Sequence, residues 1–430
     1  MLALAAGTSL RGQEQDKDEP EEKEEKQHKG LRFRMKNHPS LRFGNVLRID
    51  FRSKFQLDFR DFNPSQRSHD EQLFELHRGR LGIQGNFMKK FEYEVEYDLC
   101  KQKGDILCGD EIDNHWRDVY VNFRHFRRFQ IQAGRFKIPF GLEQMTGPTR
   151  IDFALRSRPS KYLAPARDTG IMLHGRFLHR GLNYQAGLFK NDGDNAGDDE
   201  NQPTGQRTFA GRLTATPLRP LKVPGVLKTL EIGQSFTESA VPEGLSGLRG
   251  KTFAKKVFFR HSNVRGHRLR LGSEMQWTPG PFGLKGEFMH VREQRFGQGL
   301  GGEDLPDQIE RGWYVSGSWV VTGEAKAGGV RPRRDFLLGH GFGAWELAGR
   351  LEQLRFGSSE HPGRPSRSIR AANILPNSDR AWTFGVNWYL NRFLKVQLNG
   401  AHEKLEDLFR APYPGYQVYW VKLLRIQAVL

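Results

Sequence analysis

The chain has 430 residues, with 67 Lys and Arg against 50 Asp and Glu and a formal net charge of +17. Its mean hydropathy is −0.67, and no run approaches the ~18 apolar residues of a helical span, which excludes a helical membrane protein. The basic residues are spread along the whole chain without zinc-ligand spacing, an RNP-like aromatic motif or a basic tail, so the charge points to small anions before nucleic acid.

In chain order, residues 1–30 read as a partial signal remnant followed by a charged disordered segment. Met1 to Ala6 is too short for the apolar region of a signal peptide, and Glu14 to Lys29 is almost all charged. From there the chain reads as one folded domain, 31–430. Over 41–59, Leu41, Phe43, Asn45, Leu47, Ile49, Phe51, Ser53, Phe55, Leu57 and Phe59 alternate with Arg42, Gly44, Val46, Arg48, Asp50, Arg52, Lys54, Gln56 and Asp58, one series nearly all apolar and the other strongly charged. A side-chain period of two belongs to extended strands. The stretch is far longer than the average strand of about five or six residues, and suits a tilted strand that crosses a bilayer and projects beyond it. The pattern returns at 91–99, 313–322, 345–352, 394–399 and 424–430. A charge facing lipid at mid-bilayer costs about 2–4 kcal/mol, so the charged phase faces water. A large soluble sheet with the apolar phase in its core is the alternative. It would need a second layer, and no helical pattern supplies one.

Short connections at 88–90, 127–129, 178–181 and 281–283 alternate with long polar ones at 60–72, 100–115, 141–168, 190–205, 238–266, 297–311 and 357–379. Stretch 323–341 is long where a short turn is due. Bacterial outer-membrane barrels keep short turns on the periplasmic side and long loops outside. The expected fold is all-β, a transmembrane antiparallel β-barrel of about 16 strands, wide enough for an aqueous channel unless something fills it. Loop 141–168 is the expected filler, an inward-folded constriction loop. It carries Gln144, Arg150, Arg156, Arg158, Lys161 and Arg167 beside Met145, Ile151, Phe153, Leu155, Tyr162 and Leu163, apolar residues that a solvated loop does not need. Packing on the outer rim or at a subunit interface is the alternative.

Cys100 and Cys108 bracket a polar loop and would pair in an oxidising compartment, two unrelated thiols being the alternative. Asp192, Asp194, Asp198, Asp199 and Glu200 lack EF-hand spacing and read as a solvated acidic loop. His77, His174 and His290 belong to no ligand set, and there is no nucleophile elbow or P-loop. No catalytic residue, metal or cofactor is expected.

The segments Gly134 to Glu143, Leu155 to Pro159 and Ala164 to Leu173 resemble the loop-three region of the phosphate-selective porin O and P family. Gly312-Trp313-Tyr314, Thr322-Gly323-Glu324, Gly343 to Leu347 and Gly385 to Asn391 extend the resemblance in order, from about residue 31 to the C-terminus. The resemblance implies a 16-stranded trimeric outer-membrane barrel with an inward third loop and an anion-conducting lumen. Phosphate-selective members carry a lysine and two serines just after the Gly-Leu-Glu; the matching positions here are Gln144, Gly147 and Pro148. An arginine pair of the second strand is His77-Arg78 here.

Period-two phasing turns Arg42, Arg48, Arg52 and Lys54 inward, with Arg78 and Arg80 on the next strand and Arg268 and Arg270 further on. On tilted strands these cations stand at successive depths, a track of weak anion sites suited to conduction. The alternative is that they pair with Asp50, Asp58 and the acidic strand Glu92, Glu94, Glu96 and Asp98. The expected function is a passive, anion-preferring channel in the bacterial outer membrane. Its partners would be small anionic solutes, outer-membrane lipid and two further copies of itself. A soluble all-β protein binding a ligand or nucleic acid is the runner-up.

Overall fold

Inside a bilayer every backbone group must find its partner within the protein, and strands achieve this by closing a sheet on itself. A computed structural model describes residues 31–430 except 36–37, 64–73, 101–114, 179–180, 194–204, 261, 337–339, 361–363 and 414. Its strands are β1 (Leu31–Met35), β2 (Pro39–Phe43), β3 (Leu47–Asn63), β4 (Phe74–Phe87), β5 (Phe91–Asp98), β6 (Trp116–Phe126) and β7 (Phe129–Lys137). Then come β8 (Arg167–Phe177), β9 (Leu182–Asn191), β10 (Gln206–Ala215), β11 (Glu231–Leu245), and the short β12 (Gly250–Lys251) and β13 (Val257–Phe259). The last are β14 (Asn263–Trp277), β15 (Phe282–Arg295), β16 (Leu305–Val320), β17 (Ala344–Ser358), β18 (Asn377–Tyr389), β19 (Leu394–Leu405) and β20 (Val418–Val429). Among the described residues, β3–β11 and β14–β20 each pair antiparallel with the next. β20 returns to β3, from Trp420↔Asn63 to Val429↔Lys54. The result is a closed barrel of 16 strands.

The alternation sorts by solvent as expected. On β3, Phe51, Phe55 and Phe59 are exposed on the outer surface, while Asp50, Gln56 and Asp58 are buried inside. On β17, Trp345 and Leu347 face out, and Glu346 and Glu352 are fully buried within. A soluble sheet would bury the apolar phase; here that phase is the exposed one, so lipid is its solvent. The tryptophans mark two levels on this surface: Trp116, Trp382 and Trp420 toward the loop ends of their strands, with Trp313 midway along the long β16, and Trp277, Trp319, Trp345 and Trp388 toward the turn ends. Indole rings favour the two membrane–water interfaces. Phe384 lies between them on β18, opposite Gly349 and Gly400. Phe384→Arg places a charge in the hydrocarbon and should cost about 2–4 kcal/mol. The fraction of heat-modifiable, folded barrel on semi-native gels would drop accordingly.

The stretch 41–59 is not one strand. It folds back at 44–46, where Gly44 has φ +50°, and β2 pairs with β3 through Leu41↔Ile49 and Phe43↔Leu47. A three-residue turn pairs odd positions with odd ones, so the phase survives the reversal, and only Gly44, Asn45 and Val46 interrupt it. β1 pairs with β2 in turn. The hairpin occupies the slot below the end of β20, where Leu430 and Ser53 exchange backbone hydrogen bonds of 3.0 and 3.2 Å.

Long loops leave one end of the barrel, with an eighth at 406–417 beyond those read from sequence, and the turns at the other end are short except 216–230 and 321–343. The stretches 238–266, 297–311 and 357–379 are shorter as loops, because β11, β14, β16, β17 and β18 run into them. Loop 246–262 is also not a plain polar loop. Leu248, Phe253, Phe258 and Phe259 are buried, and Phe259 stacks on Phe356 of β17 with centroids 4.6 Å apart. Among the described residues this loop and 138–166 both fold inward, and Ala371 and Ile374 of the loop before β18 pack in the same cluster.

Candidate functional site: the inward loop and the cations facing it

Loop 138–166 buries Ile138, Phe140, Ile151, Phe153 and Leu163 against the inner wall. At its start Gly141 has φ +70°, and a Cβ there would fall 2.8 Å from Glu287 Oε1. The one-turn helix Leu142–Met145 follows. The Leu142 and Glu143 amides donate to the two Glu287 oxygens at 2.6 and 2.9 Å. At the other end Lys137 Nζ donates to the carbonyls of Gln144, Met145 and Thr146 at 2.7, 3.2 and 3.2 Å. Arg156 donates to those of Glu143 and Thr146 at 3.1 and 2.7 Å. A carboxylate at the amide end and cations at the carbonyl end suit the peptide dipoles.

A second short helix, Arg158–Tyr162, is capped by Ser157, whose Oγ accepts from the Ser160 amide at 3.3 Å. Pro159 fits the first turn, where no amide donor is needed. The Arg158 side chain, 1% exposed, donates to Glu352 at 2.8 Å and Glu403 at 2.6 Å and also reaches Asp379. Its guanidinium lies 4.7 Å over the Phe253 ring of the other inward loop. Further along, Arg350 covers Phe153 at 4.6 Å, and Asn399 accepts from the Ala154 amide at 2.6 Å. Arg425 grips Asp58 at 2.6 and 2.7 Å and reaches the Ala154 carbonyl. Against the upward push of burial, Lys326 and Lys285 hold the Asp152 carboxyl well below the usual carboxylate range.

Apart from Lys137 on β7 and Phe253 on the other inward loop, these anchors sit on β3, β15 and β17–β20 or, for Lys326, on the long turn-side stretch 321–343. Inward residues there, such as Glu287, Glu352, Asp379, Glu403 and Arg425, are buried beneath the loop. Across the barrel, the inward residues Arg78, Glu92, Glu94, Gln132, His174 and Gln185 are only half-buried. The water-accessible space therefore runs along β4–β9.

Cations from both sides meet there. Arg156 on the loop feels Arg167 and Arg80. Burial first, and then those like charges, push its guanidinium down to about 10 against the pull of Glu143, which leaves it charged at neutral pH. Arg78 stands near Arg80, Arg156 and Arg117, and Lys137 near Arg156, Arg167 and Asp118. Several of these are matched: Arg80 bonds Asp98 at 2.7 Å and Glu96 at 3.2 Å, Arg167 bonds Asp118 at 2.6 Å, and Lys54 bonds Glu96. Others have no ion pair among the described residues. Arg78 donates to Gln56 at 2.6 Å, Lys137 and Arg156 bond only carbonyls, and Arg150 is exposed.

The sequence-derived track thus divides. Arg42 and Arg48 are cross-strand partners on the turn-side hairpin, with Arg48 3.0 Å from Asp50. Arg52 is half-buried at the same end. Arg268 and Arg270 do not belong to a water-facing track: both are 0% exposed, bound to Asp192, with Arg268 also on Glu293 and Arg270 on the Leu163 carbonyl. Arg158 likewise faces the wall, as an anchor. Gln144 is buried, and Lys161 is exposed. Asp192 serves these arginines and the Gly205 amide at 3.1 Å; the rest of the acidic stretch lies outside the described residues. So does Cys108, while Cys100 is buried with its sulfur 3.1 Å from the Leu76 carbonyl. The grouping Asp58, Glu75 and His77 has metal-ligand spacing, but Arg60 occupies its centre, 2.9 Å from Asp58 and 3.1 Å from His77.

Sequence reasoning overlooked Lys137, Glu287, Arg350, Asp379, Glu403 and Arg425. Arg350 and Arg425 stood on the inward phase of recognised strands, so phasing was the available signal. Lys326 had one too, the anomalous length of its turn.

A family model for the phosphate-selective porin O and P matches residues 48–414. The fold resembles OmpT, an outer membrane protein of Vibrio cholerae (TM-score 0.54, 8% identity, 89% of this chain and 98% of that one). It also resembles the outer membrane channel DcaP of Acinetobacter baumannii (0.55, 8%, 90% and 98%), and Salmonella typhi OmpF in complex with daunomycin (0.51, 10%, 90% and 99%). Comparison with curated protein sequences gives no match. The family match spans most of a closed 16-stranded barrel with an inward loop, and the chain belongs to the phosphate-selective porin O and P family of outer-membrane porins.

Proposed function

We propose that this outer-membrane channel is passive and water-filled, prefers anions without phosphate selectivity, and works as a homotrimer. The observation that carries the preference is the set Arg78, Lys137 and Arg156, which faces the half-buried side of the lumen with no ion-pairing carboxylate among the described residues, with Arg150 a further exposed cation on the loop. Several weak cationic sites attract anions without trapping them. The absence of phosphate selectivity follows from the loop. Gln144 is buried, Gly147 offers no side chain, and the Pro148 carbonyl lies 3.4 Å from Gln56 Nε2, so these positions supply neither a cation nor a hydroxyl. The trimer is proposed because OmpT of Vibrio cholerae has a trimer form and rests on that likeness.

The test is the reversal potential of single channels in planar bilayers under a KCl gradient. Wild type should show anion preference, and Arg78→Ala should move the potential toward zero. Micromolar phosphate should leave the chloride current unblocked. A cation-preferring wild type would overturn the first proposal, and micromolar block the second. Unheated protein on semi-native gels should run at three times the protomer mass.

A further inference from the structure

The outer surface carries a charge pattern that the channel does not use. At the loop ends of four consecutive strands, Arg311 (β16), Arg355 (β17), Arg380 (β18) and Lys404 (β19) all point outward and are exposed. Arg311 and Arg355 are directly opposed cross-strand partners, as are Arg380 and Lys404. Arg380 faces Gln353, two residues from Arg355, so the two pairs are diagonal neighbours. Like charges directly opposite one another destabilise a sheet. Neighbouring outward cations are relieved within the chain: Lys422 lies 3.2 Å from Asp61, Arg265 3.7 Å from Glu243, and Arg292 bonds Asp307. The four have no side-chain hydrogen bond or ion pair among the described residues.

Their depth says what relieves them. Going from the loop ends toward the turns, Trp313 follows Arg311, Trp382 follows Arg380, and His402, packed on Trp420 at 4.6 Å, follows Lys404. From Arg355 down to Trp345 at the other interface, ten residues of strand tilted near 40° span about 25 Å, the height of the apolar band of such barrels. The cations therefore stand just above the aromatic level, among the headgroups of the leaflet on the loop side, which is the outer one. The rim on β4–β6 has Phe74, Leu99 and Trp116 instead, so this is a local patch rather than a general girdle.

We propose that Arg311, Arg355, Arg380 and Lys404 form a binding site for the phosphate groups of an anionic outer-leaflet lipid. Guanidinium forks match phosphate oxygens two at a time, and two opposed basic pairs fit a headgroup bearing more than one phosphate. The proposal rests on the outer-membrane placement of the chain and is independent of the selectivity of its lumen.

The test is native mass spectrometry of the full barrel in a non-ionic detergent, titrated with diphosphoryl lipid A. Wild type should retain a lipid adduct. Arg311→Ala with Arg355→Ala should weaken it by roughly thirtyfold, as should Arg380→Ala with Lys404→Ala, taking about 1 kcal/mol per cation at an anionic surface. Lys422→Ala should leave the adduct unchanged, and single-channel conductance of every variant should match wild type, which shows that each barrel is folded. Monophosphoryl lipid A should bind more weakly. Inorganic phosphate at the same concentration should not displace the lipid; full displacement would mean a site for free phosphate and overturn the proposal. Adducts insensitive to both double variants would overturn it too, as would a change in oligomeric mass without loss of lipid, which would mark a subunit contact.

Discussion

Arg158→Ala should release the inward loop and give a larger, noisier single-channel conductance. The substitution leaves Glu352, Asp379 and Glu403 buried against the wall with their principal cation gone. Breaking a buried ion pair from one side costs about 3–5 kcal/mol, because the remaining charge is stranded. Arg158 also joins the two inward loops, through Phe253 and through Glu403, which accepts from the Phe253 amide at 2.9 Å. Its loss should therefore loosen both loops and lower the temperature at which the barrel unfolds on semi-native gels. Arg158→Lys should rescue poorly, since one ammonium cannot reach three carboxylates as a planar fork does. Asp379→Asn should be mild, because among the described residues Arg158 and Arg350 are the cations paired with the three acids, and removing one negative charge relieves the excess. Unchanged conductance and stability in Arg158→Ala would show that the loop is held without it, by the amide hydrogen bonds that Asn399 and Glu287 accept and the one that Arg425 donates.

Arg156→Glu should turn the channel from anion preference toward cation preference. Among the loop cations Arg156 is the one placed near both Arg80 and Arg167 of the opposite wall. The substitution changes the local charge by two units. At about 1 kcal/mol per unit charge near 4 Å in water, the local anion concentration should drop by roughly thirtyfold. The reversal potential under a salt gradient should cross zero. Because Arg156 also braces the carbonyls of Glu143 and Thr146, Arg156→Lys is the control. It keeps the charge and loses the fork, so its selectivity should stay close to wild type even if its conductance is noisier. Loss of anion preference in Arg156→Lys to the same extent as in Arg156→Glu would mean that loop position, not field, sets selectivity.

The division between sequence and tertiary structure follows from the range of each interaction. Which face of a strand meets lipid is a local property: successive side chains point to opposite sides, and the polar phase is costly in oil. Phe51, Trp319, Trp345 and Leu398 could therefore be assigned outward, and Asp58, Glu346 and Arg425 inward, from alternation. The apolar content of 141–168 similarly announced a loop that needed a wall. The reversal at 44–46 preserved the parity of that alternation, because an odd turn does so; its one trace was the break at Gly44, Asn45 and Val46. Partnership between charges was equally hidden. Asp58 meets Arg425 only because β20 closes on β3, and Arg158 meets Glu352, Asp379 and Glu403 only because the loop bends across three strands. Arg268 and Arg78 have the same local pattern, a cation on an inward phase. Closure of the barrel and the seating of the loop buried one against Asp192 and left the other facing water.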